Sequence, residues 1–107
     1  MMERRLLKRK IVSIKAEVVL EGEKSAGLIE NISEGGIYLV TAPSKQATEF
    51  SAGKTADVRF IGPSGATIDL HCNVLWGYKT PPHGVTQSVG MEIKTSSQEF
   101  TDFYNGL

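Results

Sequence analysis

Residues 67–76, TIDLHCNVLW, place an apolar side chain at every second position: Ile68, Leu70, Cys72, Val74 and Trp76. The intervening Thr67, Asp69, His71 and Asn73 are polar. A period of two matches a β-strand, whose successive side chains point to opposite faces, and does not match a helical stripe. Such a segment has to bury one face and wet the other, so it demands a sheet with one side on a core. The rhythm returns in residues 11–20, where Ile14, Ala16, Val18 and Leu20 share a face, and in Thr55–Ile61, where Ala56, Val58 and Phe60 do. Shorter strands are expected over about 26–30, over Gly36–Thr41 and around Val89, Met91 and Ile93.

Turn-prone residues separate these runs. Glu21-Gly22-Glu23-Lys24-Ser25, Asn31–Gly36, the polar stretch 42–53, Gly62-Pro63-Ser64-Gly65 and Thr80-Pro81-Pro82-His83-Gly84 read as turns and loops. After the last strand, Ser96 or Ser97 offers a helix N-cap with Glu99 in the first turn. Phe100, Phe103 and Tyr104 then fall at i, i+3, i+4, the spacing of a short helix that covers a sheet. About six short strands and one helix predict an all-β fold, a small antiparallel barrel or sandwich. Trp76 continues the face of Leu70, Cys72 and Val74, so core packing is its first reading; a partly exposed stacking surface at the barrel mouth is the alternative.

With 107 residues the chain is sized for one domain, and 40% hydrophobic residues are too many for a disordered one. The single cysteine, Cys72, precludes an intrachain disulfide. No apolar run reaches a membrane span, and no apolar stretch after the N-terminal charges is long enough for a signal peptide. A reduced, soluble, cytoplasmic protein is the expectation. Catalysis is not expected. His71 and His83 are twelve apart with no second cysteine, which leaves no zinc spacing. His71 and Cys72 point to opposite strand faces, Ser33 has no neighbouring His base, and the carboxylates are scattered.

The formal net charge is zero, but it is unevenly distributed. Residues 1–10 carry Arg4, Arg5, Lys8, Arg9 and Lys10 against Glu3, a net of +4, and the other 97 carry −4. The chain therefore divides into a basic segment, 1–10, and a single β-barrel body, 11–107. Within the segment, Arg5-Leu6-Leu7-Lys8-Arg9 is an R-x-x-x-R preceded by Arg4. Guanidinium groups grip phosphate bidentately and read the O6/N7 edge of guanine. Between strands, Asn31-Ile32-Ser33-Glu34-Gly35-Gly36 is an N-x-S-x-x-G. Asn31 carries both a donor and an acceptor for a base edge, Ser33 a hydroxyl, and Gly35 and Gly36 allow backbone N–H groups to approach a ligand and permit positive φ.

An R-x-x-x-R before the first strand, followed by N-x-S-x-x-G, resembles the PilZ domain. The resemblance extends to Val74-Leu75-Trp76 and to Val89-Gly90-Met91-Glu92-Ile93. It implies a bacterial receptor for cyclic di-GMP built on a six-stranded antiparallel barrel with a helix packed at its end. Arg5 and Arg9 would take the arginine roles, and Asn31, Ser33 and Gly36 those of the second motif. In that family the residue before R-x-x-x-R bears on whether one dinucleotide or an intercalated pair is held; Arg4, able to stack on a base or hold a second phosphate, favours the pair. No cofactor is implied. The ligand would fold the basic segment over the barrel, and a downstream protein partner would read the ordered surface. The alternatives are an interaction module of the same fold without a ligand, and a barrel for single-stranded nucleic acid. The latter is opposed by the acidic body and by having eight aromatics, three of them in the helix. DNA binding and membrane insertion are not expected.

Overall fold

The computed structural model describes residues 9–42, 49–80 and 86–107. Six strands close into an antiparallel barrel: β1 Lys10–Leu20, β2 Glu23–Ile32, β3 Gly36–Thr41, β4 Thr55–Ile61, β5 Thr67–Lys79 and β6 Gln87–Thr95. Their order around the wall is β1-β2-β3-β6-β5-β4. One helix, α1, spans Gln98–Asn105.

Closure follows from the alternation. Val18 and Leu20, Ile29, Leu39, Val58 and Phe60, Leu70 and Cys72, and Val89 and Met91 all point inward and are at most 2% exposed. Each such aliphatic or aromatic side chain is worth about 1.5–3 kcal/mol once fully buried. β1 pairs with β4 only over Glu17–Leu20, so its first half diverges from the wall there. α1 lies against this end of the barrel. Phe100 and Tyr104 enter the core, and Phe103 meets Phe60 edge-on at 5.2 Å. Ser97 is the N-cap and accepts from the Phe100 N–H. The C-terminal turn has no basic residue of its own. Lys10 supplies one from β1, donating from Nζ to the Tyr104 carbonyl at 2.9 Å and lying 4.3 Å from the Tyr104 ring centroid.

Several elements differ from the sequence expectation. Only Glu21 and Gly22 form the first turn, both at positive φ (51° and 82°), the geometry of a tight two-residue hairpin. β2 therefore starts at Glu23 and runs through Asn31 and Ile32, both expected in a loop. β5 continues three residues past Trp76. Phe50, in the polar stretch 42–53, is fully inside the core, and its N–H donates to Gln87 Oε1 at 3.1 Å. Where β5 outruns β4, residues 53 and 54 bond Val74 in place of a strand: Gly53 N–H to Val74 O at 2.9 Å and Val74 N–H to Lys54 O at 2.7 Å.

Candidate functional site

Two of the barrel's four register shifts decide which way Asn31 and Trp76 face. On β2 the pairing with β3 shifts between Ile29 and Asn31. Ile29 and Ile32 both point inward, and the extra residue turns Asn31 outward. On β5 the pairing with β6 shifts between Val74 and Trp76. Strict alternation would have sent Trp76 into the core beside Val74. The bulge turns it outward, where it is 36% exposed, against 2% for Val74. The core reading of Trp76 is thus overturned: its indole lies on the outer wall.

The register places five residues in one transverse row on the outer wall. Ile11 pairs with Asn31, Asn31 with Tyr38, Tyr38 with Gly90, and Gly90 with Trp76. Gly90 carries no side chain, and the Trp76 indole fills the space above it; a Cβ there would sit 2.5 Å from Nε1 and 2.6 Å from Cζ2. With that gap open, the Tyr38 and Trp76 rings come within 5.7 Å, and Tyr78 follows 5.4 Å beyond Trp76. The three rings form a continuous aromatic strip beginning next to Asn31. An aromatic laid over a strand glycine is a recognised way of protecting that backbone. A glycine inside an alternating strand, as in Val89-Gly90-Met91, was the signal for this close approach.

The Asn31–Gly36 segment is a tight turn at the end of β2. Ser33 N–H donates to the Gly36 carbonyl at 2.8 Å, and the Ser33 hydroxyl donates to the same oxygen at 3.3 Å. Ile93 N–H donates to Gly35 O at 2.9 Å, which ties the turn to β6. Gly35 and Gly36 are not among the positive-φ residues, so conformational freedom is not what glycine supplies here. Gly36 is needed for space: a Cβ would stand 2.9 Å from the Met91 carbonyl oxygen. At Gly35 a Cβ would meet nothing. Arg9 is exposed and immediately precedes Lys10, whose partner is Ile32, so the chain enters β1 beside Ser33. Arg4 and Arg5 lie outside the described residues. The structure thus brings Asn31 and Trp76 into one row, with Arg9, Ser33, Gly35 and Gly36 at its β2 end.

The wall formed by β1, β4 and β5 is different. Glu17 pairs with Arg59 and Arg59 with Asp69 across the strands. Arg59 Nε donates to Asp69 Oδ1 at 2.7 Å, and that hydrogen bond, with the charge of Asp69, raises the guanidinium pKa further. His71 Nδ1 lies 2.5 Å from Asp57 Oδ1. A shallow depression of about 490 Å³ lies on this wall, away from Asn31. Beneath it, Cys72 is buried, and burial pushes its thiol pKa up to about 12, with Asp57 adding to the shift. That thiol is a core side chain with no thiolate character at neutral pH. Among the described residues no cluster of three or more His, Cys, Asp or Glu could hold a metal ion.

Fold and wall together make a small closed barrel with a tight Asn-Ser-Gly turn opening onto an aromatic strip. The PilZ domain family profile matches residues 3–101, and the chain belongs to that family. PilZ domains are generally receptors for cyclic di-GMP and are known as binding or adaptor modules. Among solved structures, the chain is similar to the Bacillus subtilis inhibitor of motility (MotI/DgrA), with a TM-score of 0.76 and 18% identity. The match covers 97% of this chain and 49% of that one, so the chain spans about half the length of that protein. No curated protein matches the chain significantly. Among the described residues no helix is long and apolar enough to cross a membrane.

Proposed function

We propose that this PilZ domain is a cyclic di-GMP receptor that signals to a protein partner through its basic N-terminal segment. The observation that carries the reading is the transverse row: two bulges re-aim Asn31 and Trp76 onto the same stretch of outer wall, next to the point where Arg9 enters β1. Arg5 and Arg9 read the O6/N7 edge of guanine or neutralise phosphate. Asn31 accepts from a guanine N–H, and Trp76 offers a π-face. Ser33, Gly35 and Gly36 hold the turn against β6, which fixes where Asn31 stands. Arg4 holds a second phosphate or stacks on a base, favouring an intercalated pair of ligands. Because residues 1–10 repel one another, ligand phosphates draw that segment onto the wall, and the partner reads the change.

Calorimetric titration with cyclic di-GMP tests this, with Arg5→Ala and Asn31→Ala beside the parent chain and cyclic di-AMP as the competing dinucleotide. The expected result is saturable binding of the guanine ligand only, weakened in both variants, with the stoichiometry reporting one ligand or two. No heat and no protection of the folded chain by cyclic di-GMP would leave the domain as a ligand-free interaction module.

A further inference from the structure

We propose that Tyr38 is the residue on which a guanine of the ligand stacks, with Asn31 reading the edge of that same base; this rests on the cyclic di-GMP reading above. Tyr38 lies outside both sequence motifs. Three features of the wall converge on it. First, it is the direct cross-strand neighbour of Asn31. Opposite residues in an antiparallel pair have Cβ atoms roughly 5 Å apart, so a base lying on one presents its hydrogen-bonding edge to the other. Second, its neighbour on the other side is Gly90, which leaves no side chain standing between Tyr38 and Trp76. The half-buried ring has an indole beside it, 5.7 Å away between centroids and tilted by 38°. Third, alternation with the buried Ile37 and Leu39 sets Tyr38 on the outer face, where it is half-buried. A base has a π-face whatever its identity, so stacking supplies affinity while the Asn31 amide and the arginines supply discrimination.

The strip also distinguishes its own members. Trp76 is committed to covering Gly90, and Tyr78 lies one row farther from Asn31, opposite Ser88. Of the three rings, Tyr38 alone is adjacent to the residue that reads the base edge.

Cyclic di-GMP is titrated into the parent chain and into Tyr38→Leu, Tyr38→Phe and Tyr78→Leu, each first checked for a native thermal melt. In parallel, the guanine H8 resonance of the ligand is followed by NMR. The expected result is an upfield H8 shift on the parent chain, lost in Tyr38→Leu together with about ten- to a hundredfold in affinity. Tyr38→Phe, which keeps the ring, retains both within about threefold. Tyr78→Leu changes little. Parent-level affinity in Tyr38→Leu, an H8 resonance that does not move on the parent chain, or equal losses in Tyr38→Leu and Tyr78→Leu would overturn a seat at Tyr38 while leaving cyclic di-GMP binding intact. No binding to the parent chain overturns the receptor reading itself.

Discussion

β5 builds two walls that behave differently. From Thr67 to Val74 it alternates strictly: Ile68, Leu70, Cys72 and Val74 go to the core, while Asp69 and His71 face solvent and pair with Arg59 and Asp57. Beyond the shift at Val74 it exposes Leu75, Trp76 and Tyr78, and its inward neighbour becomes the Phe50 segment instead of β4. The regular half satisfies itself, Asp69 meeting Arg59 and His71 meeting Asp57 on its outer face. The shifted half sets Tyr38, Trp76 and Tyr78 ring beside ring on the outer wall. One inserted residue converts a charge-paired surface into an aromatic one, and the conversion depends on two glycines, Gly77 and Gly90, that admit Phe50 and Trp76 to close range.

The largest break in this comparison is expected at Gly77. A Cβ there would overlap the Phe50 carbonyl oxygen and stand 3.1 Å from its carbon. Backbone cannot swing away as a side-chain tip does, so Gly77→Ala has to displace the segment that holds Phe50 in the core. A cost of about 3 kcal/mol is expected from overpacking of this kind. It should lower the melting temperature by roughly 15 °C in a domain this size, measurable by calorimetry. Gly90→Ala comes next. Its Cβ meets the indole of Trp76, a side chain that can move. The expected cost is about 1–2 kcal/mol, accompanied by a red-shifted Trp76 emission as the ring lifts into water, and by weaker cyclic di-GMP binding. A Gly90→Ala chain with unchanged emission would mean that the indole does not depend on that gap.

The same contrast explains what was legible. All six strands, and a cap at Ser96 or Ser97, follow from period-two alternation and residue type, because a half-buried strand imposes that pattern on its own sequence; the structure uses Ser97. The bulges impose none. Glu30 and Leu75 are ordinary strand residues, and the extra residue shows only in which partner each neighbour faces. Asn31 is therefore legible as a motif residue but not as an outward-facing strand residue, and the alternation points Trp76 to the core although the shift after Val74 breaks it. Phe50 was obscured for a related reason: it stands in a polar stretch, and what draws it inward is Gly77 and Gln87, far along the chain.

The regular half can be sharpened by pH. The Cys72 thiol ionises near pH 9.0 ordinarily and near 12 when folded, so its contribution is intact below pH 9 and is lost as pH rises toward 12, where only the unfolded chain gains by deprotonating. At pH 10 the parent chain should have lost about 1.4 kcal/mol that Cys72→Ala does not lose, read as a steeper fall of the urea midpoint with pH. Parallel pH profiles would place solvent at Cys72 and undo the claim that this half is sealed.

The smallest effect is expected on the charged wall, and its smallness carries the comparison. His71 and Asp57 are 2.5 Å apart, yet their side chains are 54% and 64% exposed. Water competes for both, and salt screens them, so such a pair contributes at most about 0.5 kcal/mol. His71→Gln and Asp57→Asn should each lower the unfolding free energy, read by urea titration, by no more than that and leave cyclic di-GMP affinity unchanged, while Tyr38→Leu does the reverse. A wall whose groups already pair with one another has nothing left to offer a ligand without first giving up those pairs. If His71→Gln weakened the ligand as much as Tyr38→Leu, the seat would span both walls, and the bulge at Val74 would no longer mark the border between a surface that holds itself together and one that holds something else.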